Sequence, residues 1–134
     1  MAGPAVQKLP QTTKRAPQFG TATQKDVQPF IGLMQILHAE PNASAYARLL
    51  AKDTRDEDRL MLAHVFEEMA VLVRHGLIVE DLLFDAFALD HYWDELKGAV
   101  KAVRKKTGND KLCENFELAA GVATMYREAR PVKH

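Results

Sequence analysis

Three of the chain's five histidines fall within HVFEEMAVLVRHGLIVEDLLFDAFALDHYW, residues 64–93, and two of them stand at metal-ligand spacing from carboxylates. His64 lies three and four residues before Glu67 and Glu68, and His91 lies four before Glu95. On a helix each pair could offer a nitrogen and a carboxylate to one cation. Di-metal carboxylate bundles use the reverse order, Glu-x-x-His, and point it inward. Here the wheel turns His64, Glu67, Glu68, Arg74 and His75 away from Leu62, Val65, Phe66, Met69, Leu72 and Val73. These side chains therefore read as a solvated helix surface, with no metal site and no cofactor.

Other chemistries find less to work with. Cys113 falls beside the apolar stripe of the last helix, where a small buried hydrophobe is expected, and no Gly-rich turn presents a serine nucleophile. There is no Walker loop and no dinucleotide fingerprint. Asp81, Asp85, Asp90 and Asp94 are spread along short amphipathic segments and form no acid/base pair. RLMLAH, residues 59–64, is similar in spacing to the Arg-x4-His motif of the RNA-cleaving helical domains called HEPN. That similarity implies attack of a ribose 2′-hydroxyl, with Arg59 and His64 as the catalytic pair. Five residues on a helix nevertheless separate two side chains by about 140°. A HEPN-like ribonuclease is thus the alternative to a binding role.

The elements that carry these residues are helical. Residues 1–25 contain three prolines, two glycines and four bases with no acid, and read as a flexible basic arm. From residue 26 to about 130 the apolar residues recur at three-and-four spacing, with no period-two run long enough for a strand. Helices are predicted over about 26–39, 42–52, 55–75, 79–88 and 90–106, with a sixth starting at Asn109. TRDE, residues 54–57, reads as a capping box for the third, and Asp90 as the N-cap of the fifth. Gly76 and Gly108 suit the left-handed residues that end helices. The fold class is all-α, one compact bundle of about six helices behind a disordered N-terminal arm.

Composition limits the partners. The 134 residues are 47% hydrophobic, with 18 bases balancing 18 acids, so the whole chain has no bulk attraction for nucleic acid or an anionic membrane. The balance is uneven in space: residues 52–95 hold twelve acids and four bases, net −8, and 96–134 nine bases and four acids, net +5. Phosphate contact through Lys101, Arg104, Lys105, Lys106 and the arm is a lesser expectation, since no aromatics interleave them. A single cysteine, no membrane span and no secretory signal make the cytoplasm the expected location. Leu60 and Val71 share the polar face of the third helix with His64 and Glu67, which points to a covered surface. The candidate docking residues are accordingly Leu60, His64, Glu67, Glu68, Val71, Arg74, His75, Asp81 and Asp85. Tyr92 and Trp93, close to Leu89, Leu96 and Val100, read as core anchors.

FEEMAVLVRHGLIVEDLLFDAF, YWDELKGAVKAVRKKTG and CENFELAA, within residues 46–120, resemble an uncharacterised bacterial domain of unknown function with the pattern FEExxxLVxxGLIxEDL…YW…R…NFE. The matching positions are Phe66, Glu67, Gly76, Asp81, Trp93, Arg104 and Phe116. The resemblance implies a small helical cytoplasmic module, in many relatives attached behind transmembrane helices, and carries no catalytic residue. The expected function is a non-enzymatic regulatory module that binds another macromolecule. A protein partner leads, a second copy of the chain is a further candidate, and a small phage or mobile-element inhibitor is one form of the role.

Overall fold

The computed structural model describes residues 22–129. A 3-10 turn, Gln24–Asp26, leads into six helices: α1 Val27–His38, α2 Asn42–Leu50, α3 Asp56–Arg74, α4 Glu80–Ala86, α5 Leu89–Thr107 and α6 Glu114–Ala129. The described residues contain no strand, and the fold is all-α. The predicted arm lies almost wholly outside them. Its last residues belong to the fold, because the buried Asp26 ties the first turn down: its Oδ2 accepts the Thr23 amide at 2.8 Å, and its Oδ1 accepts the Val79 amide at 3.2 Å.

The helices stop where the glycines allow a left-handed turn. Gly76 has φ 73° and Gly108 φ 74°, and both close their helices as expected. The starts differ from expectation in three places. Thr54 does not cap α3; its hydroxyl oxygen is buried without a hydrogen bond among the described residues, and Asp58 instead accepts the Arg55 amide at 3.1 Å. Asp90 does not cap α5, because the fully buried Leu89 is already helical and Ala88 is the N-cap. Asn109 shapes a turn by accepting the Lys111 amide at 3.1 Å, and α6 waits until Glu114 because Cys113 takes the left-handed conformation, φ 57°.

α3, α5 and α6 form the centre of the bundle, with α1 and α2 outside them and α4 against α6. Phe66, fully buried on α3, joins all three: its ring stacks on Tyr92 of α5 at 4.9 Å and meets Phe116 of α6 at 5.4 Å. Trp93 meets Phe116 edge-on at 5.2 Å, so Tyr92 and Trp93 are the core anchors their neighbours implied. Phe87, just past α4, turns inward against Phe30 and Tyr46. Leu50, at the end of α2, is 57% exposed.

Candidate interaction surface

Three polar locks absorb much of the charge on which a docking surface would depend. The first joins α2 to α3: the Asp58 carboxylate accepts Arg48 Nε and Nη2, both at 2.6 Å. The Arg48 guanidinium beside it holds the Asp58 carboxyl well down, at about 2. The second lies between α3 and α6. Glu67 Oε1 accepts the Phe116 amide at 2.8 Å and Oε2 accepts Asn115 Nδ2 at 2.7 Å, while Asn115 Oδ1 accepts Arg74 Nη1 at 2.8 Å. A carboxylate placed over the free amides of a helix start suits both their hydrogen bonding and the dipole.

The third lock is Arg104 on α5. Its Nε and Nη2 both donate to the Leu112 carbonyl, Nη1 reaches Glu117 at 2.8 Å, and its guanidinium sits 5.7 Å from the Trp93 ring centre. Of the four residues expected to offer phosphate contact, Arg104 is thus engaged within the domain, and Lys101, Lys105 and Lys106 are exposed. The polar face of α3 is corrected in the same way. Glu67 is committed to α6, Arg74 is drawn into that network while still exposed, and Leu60 and Val71 are half-buried. Asp81, expected on the docking face, is only 7% exposed and accepts the Leu82 amide. His64, Glu68, His75 and Asp85 remain at the surface.

Arg59 and His64 are not gathered into a site. Arg59 is turned back toward the helix start, pairing with Asp56 and donating to the Thr54 carbonyl at 3.2 Å, while His64 is exposed a turn and a half further on. No group of three or more His, Cys, Asp or Glu suited to a metal ion occurs among the described residues. Cys113 is buried 3.8 Å from the Ala63 carbonyl, and burial, with Glu67 nearby, pushes its thiol up to about 11. A thiol so protonated is a poor nucleophile. Tyr46 and Tyr92 share a hydroxyl hydrogen bond of 2.7 Å, and burial pushes the Tyr46 hydroxyl far above its ordinary value.

Two grooves lie elsewhere, on either side of the first half of α5. One groove, about 480 Å³, runs between α5 and α6 beside Asp90, His91, Asp94 and Glu117, with Gly121 opposite. The other, about 430 Å³, lies toward α2 beside Leu50, Tyr92, Asp94 and Glu95. His91 and Asp94 form the ridge between them. Asp90 is held by Arg127 of α6, through Nε at 3.1 Å and through Nη2; burial alone would raise its carboxyl, and Arg127 outweighs that and lowers it. The His91 to Glu95 spacing was the sequence signal at this place, read as a metal pair and then as plain surface. That it stands between two grooves depends on α2 and α6, which no local spacing reveals.

No helix of the described residues is long and apolar enough to cross a membrane. No curated protein and no solved structure matches the chain. A family model, domain of unknown function (DUF4760), matches residues 12–121 and takes in the whole of the 46–120 signature. With most of its length matched, the chain belongs to the DUF4760 family.

Proposed function

We propose that this domain is a non-enzymatic interaction module that binds a protein partner along the outer face of α5, as a cytoplasmic regulatory component. One observation carries the reading. Two grooves flank an exposed, charged ridge, while Asp58, Glu67 and Arg104 are committed to holding helices together. Residues engaged in this way position helices and have little capacity left for chemistry. The grooves set apolar Leu50 beside acidic Asp94 and Glu95, the mixture of an apolar anchor and a charged rim that suits a protein surface.

The test captures proteins from native host extract on the wild-type chain and on a D94K/E95K double variant, with both baits checked for the same helical content. The expected result is a partner retained by the wild type and lost from the variant. Equal capture by both baits, or none by either, overturns the reading. A parallel incubation with total RNA addresses the alternative: cleavage that disappears in Arg59→Ala, His64→Ala protein replaces the binding reading with the ribonuclease one.

A further inference from the structure

The exposed face of α5 has a charge order that is its own complement. Taking the residues that point away from Leu89, Trp93, Leu96 and Val100, the solvent stripe reads His91, Asp94 and Glu95, then Gly98, then Lys101, Ala102 and Lys105. Acids occupy the first half, lysines the second, and the centre is a glycine. Glu95 is three residues before Gly98 and Lys101 three after, about 4.5 Å along the axis on either side.

A second helix laid parallel on this stripe would set acid on acid and lysine on lysine. Laid antiparallel about a two-fold axis at Gly98, it sets Asp94 beside Lys101 and Lys105 of the second copy, with Glu95 level with Lys101 on the other flank and the same contacts repeated by symmetry. None of Glu95, Lys101 and Lys105 takes part in an ion pair among the described residues; Asp94 has only an exposed contact of 3.4 Å with Lys97. We infer that the partner of the α5 face is a second copy of this chain, docked antiparallel through α5. This rests on the proposed interaction role of that face and names its partner.

Two further features fit that occupant. A Cβ added at Gly98 would meet nothing within 4 Å, and its backbone is helical, so nothing inside the chain calls for glycine there. Glycine in an exposed helix interior weakens the helix, whereas beside Ala102 it lets a second backbone come close. The ridge of α5 is also bordered by the two grooves, which accept the flanks of a facing helix and the stems of its lysines. A 19-residue helix is about 28 Å long, and one helix pair with its flanks covers less than the roughly 800 Å² per partner of a standard interface. So small and charged a contact makes a weak dimer, weakened further by salt.

The test is sedimentation equilibrium of the purified chain at up to about 200 µM in low salt. The wild type is expected to approach twice its 15.0 kDa mass. The variants D94K/E95K and K101E/K105E are each expected to stay at single mass, and an equimolar mixture of the two is expected to recover the doubled mass. Recovery in the mixture also shows that both variants fold. A wild type that stays at single mass overturns the inference, as does a dimer indifferent to both charge swaps or a mixture that fails to associate. If the wild type is monomeric yet loses a captured host protein on D94K/E95K substitution, self-association is excluded while the interaction role stands.

Discussion

Asp58 is 1% exposed yet charged, because the Arg48 guanidinium and the Arg55 amide both point at its carboxylate. Asp58→Asn keeps the shape and removes the bidentate acceptor, at an expected cost of about 2 kcal/mol at pH 7 in urea unfolding. In the fold the carboxyl sits at about 2, below its ordinary 3.8. Its stabilising contribution is therefore full above the unfolded value and fades as pH falls through the folded one. The gap between wild type and Asp58→Asn should narrow below about pH 4, and a gap unchanged from about pH 7 to pH 3 would contradict the pairing. Nothing local marks this pair in the sequence. Arg48 and Asp58 sit on different helices, and the nearby TRDE pattern drew the cap to Thr54, whose hydroxyl ends up buried instead.

The start of α6 has no capping side chain of its own in the usual place, since Cys113 precedes it in the left-handed conformation. Its Phe116 amide depends on Glu67, 49 residues earlier. Glu67→Ala should cost about 2 kcal/mol and show itself locally, with the Phe116 amide exchanging roughly tenfold faster while those in the middle of α5 change little. A uniform rise in exchange across the domain would instead mean that Glu67 acts on global stability alone. Spacing placed Glu67 on the polar face of α3 correctly. What it could not show is that α6 returns to lie over that face, turning a candidate docking residue into a helix cap.

Across the whole molecule, Phe66 is the side chain through which α3, α5 and α6 meet. Phe66→Ala should remove about 4 kcal/mol, a large share of the 5–15 kcal/mol that a domain of this size usually has. The expected result is a steep fall in thermal midpoint with loss of the near-ultraviolet signal of Trp93, which packs on Phe116 at the same centre. A midpoint within a few degrees of wild type would show that the three helices hold without it. Phe66, Leu62, Met69 and Trp93 were readable as core, and Gly76 and Gly108 as helix stops, because helix periodicity and a positive φ act over a few residues. The all-α class and the family signature follow from the same local rules. Which charges remain at the surface could not be read that way. Glu67 lies within about 60° of His64 on the wheel and cannot be told from it by spacing, whereas Asp58 and Arg104 fall within about 40° of Leu62 and Trp93, on the apolar side of their helices, with no local sign of what partners them there. All three are removed from solvent only because Arg48, the Phe116 amide and the Leu112 carbonyl arrive from distant parts of the chain. Only the packing of one helix on another decides that, so the grooves beside α5 and the self-complementary face between them belong to the tertiary structure.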